Sequence, residues 1–110
     1  MQADRLQALQ AFHEEDPDDA FVRFALAQEY LKRGDIEEAL RFFEGLVSED
    51  PEYVGTWYHL GKLYQELGRR EDAVRTYTQG IEVAGRQRDT HAQAELRDAL
   101  MQIEGVGFDD

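Results

Sequence analysis

One offset, 34 residues, limits what this chain can fold into more than any other feature. Asp16 and Pro17 return as Asp50 and Pro51. The same shift carries Glu15 onto Glu49, Leu26 onto Leu60, Tyr30 onto Tyr64 and Gly34 onto Gly68. It also carries Glu37 onto Glu71, Ala39 onto Ala73 and Arg41 onto Arg75. Conservative matches fill the gaps: Phe24 with Tyr58, Ala27 with Gly61, Leu40 with Val74, Phe43 with Tyr77 and Val47 with Ile81. A unit this short cannot bury its apolar face alone, so such units stack on their neighbours.

Each period holds two helical stretches. In the first, Phe21, Phe24, Leu26, Ala27, Tyr30 and Leu31 fall at helical spacing. Gly34 is placed to take the left-handed position that ends a helix. Asp35 is placed to cap the next helix, with Glu38 completing a capping box. Ile36, Ala39, Leu40, Phe43, Leu46 and Val47 line that second helix, and Pro51 prevents its continuation. The second period repeats the logic around Gly68. Two Pro, one Ser and no Asn argue against a turn-rich β domain, while the abundant Ala, Leu, Glu, Gln and Arg favour helix.

The pattern resembles the tetratricopeptide repeat family, W-x2-L-G-x2-Y, then G, then A-x3-F, then P. It appears most fully as Trp57, Leu60, Gly61, Tyr64, Gly68, Ala73 and Tyr77. The first copy gives Leu26, Ala27, Tyr30, Gly34, Ala39, Phe43 and Pro51, with Arg23 in place of the family's Trp. The second copy ends in Gly85 in place of Pro. The copies span 20–53 and 54–87. Residues 1–17, with Leu6, Leu9 and Phe12 before Pro17, read as an N-terminal helix equivalent to the second half of a copy. Residues 88–104 read as a capping helix, with Ala94, Leu96, Ala99, Leu100 and Ile103 apolar and Gln93, Glu95, Arg97, Asp98, Gln102 and Glu104 on a polar face. Residues 105–110 read as a tail. The resemblance implies one all-α domain over 1–110, a right-handed solenoid of antiparallel helix pairs. Six helices are expected, near 3–14, 20–33, 36–48, 54–67, 70–83 and 90–104.

Charge narrows the partners. Lys and Arg total 12 against 24 Asp and Glu, for a net charge of -12. Such a field repels phosphate backbones and anionic membrane surfaces, so neither nucleic acid nor membrane is expected. It favours solubility and the approach of basic partners. The chain has no cysteine, so no disulfide and no thiolate metal site. Residues 1–5 carry no signal-peptide pattern, and no apolar run approaches the roughly 18 residues that would span a bilayer. The expected location is the cytoplasm.

A search for chemistry finds little. His13, His59 and His91 form no His-x3-His pair. His91 and Glu95 share a helix face at i,i+4, a spacing at which both could touch a metal, but the pair reads as a solvated helix face. Paired carboxylates such as Glu14 with Glu15 and Glu37 with Glu38 read as surface charge. Ser48 is the single serine and lacks a nucleophile elbow, and no glycine-rich phosphate loop is present. No catalytic residue, metal or cofactor is expected, and the chain is not expected to be an enzyme.

The resemblance also implies a concave groove lined by the first helix of each copy. Carried over residue by residue, the groove positions are Phe21, Phe24, Gln28, Leu31 and Lys32, then Gly55, Tyr58, Lys62, Gln65 and Glu66. Phe21, Phe24, Leu31 and Tyr58 form an apolar and aromatic stripe suited to anchor a partner, and Gln28, Lys32 and Lys62 are suited to orient a peptide's backbone or acidic groups. Phe24 and Gln28 stand where chaperone-binding members carry Lys and Asn, so a chaperone C terminus is not the expected ligand. Two functions fit: a module holding another protein or peptide in the groove, or a self-associating homodimer using the same apolar face. Cover of Phe21 or Phe24 by the N-terminal helix is the competing structural reading.

Overall fold

The protein's structure, a computed structural model, describes residues 4–105. It contains α1 (Arg5–Glu15), α2 (Ala20–Lys32), α3 (Ile36–Glu49), α4 (Gly55–Glu66), α5 (Arg70–Arg86) and α6 (Thr90–Glu104). No strand occurs among the described residues. The chain is therefore all-α, as the repeat implies. None of these helices is long and apolar enough to cross a membrane. The tail beyond Gly105 lies outside the described residues.

Part of the acid surplus caps helices. Asp4, Asp19, Asp35 and Asp89 accept from the backbone N–H groups of Leu6, Val22, Glu38 and Ala92, at 3.4, 3.2, 3.4 and 3.0 Å. Each contact satisfies a donor that the first turn leaves without a helical partner. The box expected at Asp35 is only half formed. The Glu38 carboxylate turns instead to Arg41, whose Nη2 donates at 2.6 Å, and that bond holds Glu38 below the usual carboxylate range.

The turns after α2 and α4 are built alike. Gly34 and Gly68 adopt φ of 82° and 77°, and the next N–H reaches back to Tyr30 or Tyr64 O at 2.9 and 2.8 Å. The turn after α5 has the same bond, from Asp89 N–H to Ala84 O at 2.9 Å, but Arg88 occupies the left-handed position at φ 59°. The expected end near residue 83 is thus corrected, because α5 runs through Gly85 to Arg86. Gly85 lies inside α5, where a Cβ would meet only the flexible end of the Gln93 side chain on α6, 2.8 Å from its Nε2.

The chain divides into two compact units, with the boundary after Tyr53. In the first, α2 packs on both α1 and α3. Leu9, Val22, Leu26, Ala27, Ala39, Phe42, Phe43 and Leu46 are buried. Glu29 is buried too, and it joins two helices. Its carboxylate takes Arg5 Nε of α1 at 3.3 Å and Arg33 Nε at 2.9 Å, while Arg33 also pairs with Asp4. Pairing on both oxygens offsets the cost of removing a charge from water. In the second unit, α5 packs on α4 and α6, and α4 also touches α6. Trp57, Leu60, Leu63, Tyr64, Ala73, Tyr77, Val83, Ala84 and Leu96 are buried there.

Candidate peptide-binding site

The residues that the resemblance assigns to a groove have different surroundings on the two helices. On α2, Phe21 is 66% exposed, Gln28 and Lys32 are exposed, and Leu31 is half-buried. Phe24 is half-buried because its ring meets two others, Phe43 at 6.0 Å and Tyr53 at 5.6 Å between centroids. Cover by α1 does not remove Phe21 from solvent. Two clefts formed by α1–α3 are lined elsewhere, around His13, Arg41 and Phe42, and include none of the five α2 positions.

On α4 the structure gathers Tyr58, Lys62 and Gln65 on one wall of a cleft of about 190 Å³. Their spacing, i, i+4 and i+7, puts them on one helix face. Gly55 and Glu66 are not among the lining residues. The Tyr58 ring is half-buried, with His59 at 5.6 Å and Tyr77 at 6.4 Å. The Tyr77 hydroxyl donates to Gln65 Oε1 at 3.1 Å, which fixes the amide from beneath. Burial pushes the Tyr77 phenol up to about 12, so it stays a donor near neutrality.

The opposite wall was not legible as a site. Glu95, Asp98, Ala99 and Gln102 of α6 complete the cleft. These positions, i, i+3, i+4 and i+7, share one face. From sequence alone Glu95, Asp98 and Gln102 belong to the polar, solvated face of a capping helix. Because α6 lies against α4 as well as α5, that polar face becomes a cleft wall instead. Available signals were the spacing itself and the mixture of acids and amides, which a purely solvating face does not need.

The cleft's electrostatics are mixed. Glu95 Oε2 lies 3.5 Å from His91 Nε2, an ion pair when the imidazole is protonated. His59, behind Tyr58, is held below the usual histidine range by burial, with Glu95 acting in the opposite direction. No group of three metal-ligating side chains gathers among the described residues. The arrangement suits hydrogen bonding, charge pairing and aromatic contact with a ligand.

Two tetratricopeptide repeat family models match the chain, one over residues 30–97 and one over 2–54. Such repeats generally serve as protein–protein interaction modules and generally carry no catalysis. A TPR repeat-containing protein of Pseudomonas aeruginosa is 33% identical over 79% of this chain and 83% of its own length. The solution structure of a tetratricopeptide repeat domain protein from Salinibacter ruber is 52% identical, with a TM-score of 0.79, over 86% of this chain and 96% of that one. The solution structure of a Bordetella parapertussis protein is 28% identical, with a TM-score of 0.78, over 94% of this chain and 90% of that one. With the 34-residue period, the paired helices and these matches agreeing, the chain belongs to the tetratricopeptide repeat family.

Proposed function

We propose that the chain is a non-catalytic binding module, working in the cytoplasm, that holds a peptide or protein segment in the cleft between α4 and α6. The observation that carries this is the convergence of Tyr58, Lys62 and Gln65 with Glu95, Asp98 and Gln102 around one concave space. An aromatic ring, amides and charges of both signs are what an extended peptide needs for anchoring and orientation. Phe21, Gln28 and Lys32 on α2 supply a further contact surface, with Leu31 and the edge of Phe24 beside them.

The test is to pan a random peptide library on the full chain and compare wild type with the double variant Lys62→Glu and Gln102→Ala. Both side chains are exposed, so the helical signal and melting temperature should hold. Enriched peptides should bind the variant at least about tenfold more weakly. Equal binding to both, or no enrichment at all, rules the cleft out.

A second reading rests on Phe21, 66% exposed, and Phe12, 55% exposed, both in the first unit. Large exposed rings favour self-association. Sedimentation velocity of wild type and Phe21→Ala decides it. A dimer that the substitution dissociates supports the second reading, and a wild-type monomer removes it.

A further inference from the structure

Within that reading, we infer that the α4–α6 cleft is a socket for a single arginine side chain of the bound peptide, with Asp98 as its principal anchor. The cleft's size comes first. At about 190 Å³ it is smaller than the roughly 300 Å³ at which drug-sized ligand pockets begin. It takes one long side chain rather than a helix or a cofactor.

Charge comes second. The α6 wall presents two carboxylates, Glu95 and Asp98. Glu95 is shared with His91 at 3.5 Å, whereas Asp98 has no ion-pair partner among the described residues. Against the single Lys62 of the α4 wall, the two carboxylates leave the cleft with a surplus of negative charge that a ligand cation would satisfy. The chain's net charge of -12 draws basic segments toward it from a distance.

Shape comes third. Tyr58 offers an aromatic ring on the opposite wall, and a planar guanidinium can stack on a ring while donating two parallel bonds to a carboxylate. A lysine ammonium is a compact, strongly hydrated point charge and does both less well. Lys62 then has a directional role. On the same wall as Tyr58, it donates to backbone carbonyls of the flanking peptide, as does the Gln102 amide on the α6 wall.

The experiment extends the library panning on the full chain. Enriched peptides should carry arginine at one fixed position. One of them is resynthesised with lysine or with citrulline, which keeps the shape and removes the charge. Both replacements should weaken binding at least about tenfold, and Asp98→Asn should weaken the arginine peptide by a similar factor while barely changing the citrulline form. Circular dichroism of Asp98→Asn should match wild type, since Asp98 is exposed. Enriched peptides without a fixed arginine, or acidic peptides whose binding depends on Lys62, overturn the arginine socket and leave the binding module standing. An indifferent Asp98→Asn overturns it as well. Absence of any enriched peptide removes both.

Discussion

A Cβ placed on Gly61 would lie 2.3 Å from the ring of Tyr77, closer than carbon atoms approach in packed proteins. Tyr77 is fully buried and tied through its hydroxyl to Gln65, so the ring cannot swing aside cheaply. The equivalent pair in the first copy is Ala27 and Phe43, both fully buried. One copy thus carries a methyl group and no hydroxyl, and the other the reverse. Gly61→Ala should destabilise the fold. Overpacking costs about 1–3 kcal/mol, and the better helix propensity of alanine returns only about 1 kcal/mol. Tyr77→Phe alone should cost about 1 kcal/mol for the lost hydrogen bond. The double substitution recreates the first copy's pair and should cost less than the two single changes together. Urea denaturation of the four proteins measures this, and additive costs would show that the two sites do not share space.

Leu60 is 2% exposed, and Leu60→Ala should cost about 2–5 kcal/mol through the cavity left behind. A denaturation midpoint shifted by less than about 1 kcal/mol would mean that the surroundings collapse into the space.

The contrast between these core positions and the cleft explains what was legible. Leu60, Tyr64 and Gly68 repeat Leu26, Tyr30 and Gly34 at a fixed offset because the same packing and turn geometry demand the same residues. Their burial and backbone follow from the repeat alone. The Asp98 wall has no counterpart at that offset, since α6 follows the second copy as a single helix. Its role depends on which helix it packs against, and periodicity carries no such information. Phe24 and Tyr58 lie between these cases. Their positions marked them as groove residues, yet each ring rests on a core ring, Phe43 or Tyr77. Replacing both with alanine therefore affects stability as well as binding, and the exposed Lys62 and Gln102 are the cleaner probes.

Arg88 holds a left-handed backbone at φ 59° with a full side chain, where Gly34 and Gly68 serve the equivalent turns. That conformation costs an L-residue about 1–2 kcal/mol, and glycine escapes the penalty at some entropic cost in the unfolded chain. Arg88→Gly should therefore stabilise by about 0.5–1 kcal/mol. Thermal denaturation should show a rise of a few degrees, and a fall would mean that the Arg88 side chain contributes more than its strain.

Acidification should weaken the fold through His59. Burial lowers its pKa in the folded chain below the ordinary 6.5, so between these values the unfolded chain binds more protons. The stability is present above pH 6.5 and is lost as pH falls through the window down to the folded pKa. Denaturation at about pH 7.5 and 5.5 should show a larger loss for wild type than for His59→Gln. Equal losses would place the pH sensitivity on other groups.

Salt should act in the opposite sense to its usual effect on ion pairs. Residues 1–55 contain 14 Asp and Glu against five Lys and Arg. All four arginines there are already held, Arg5 and Arg33 by Glu29, Arg23 by Glu49 at 2.7 Å, and Arg41 by Glu38. Lys32 is the other cation in the segment, so acidic groups outnumber the bases available to offset them. Raising salt from about 10 mM to 150 mM shortens the screening length from roughly 30 Å to 8 Å. Screening weakens the exposed pairs, each worth about 1 kcal/mol at most, but also the more numerous carboxylate repulsions. Since acids outnumber bases almost three to one in this segment, relief of repulsion should dominate and the melting temperature should rise by a few degrees. Calorimetry in sodium chloride, repeated in choline chloride, separates screening from specific cation binding. A fall in both salts would mean that the arginine pairs, Glu29 with its two partners above all, outweigh the repulsion.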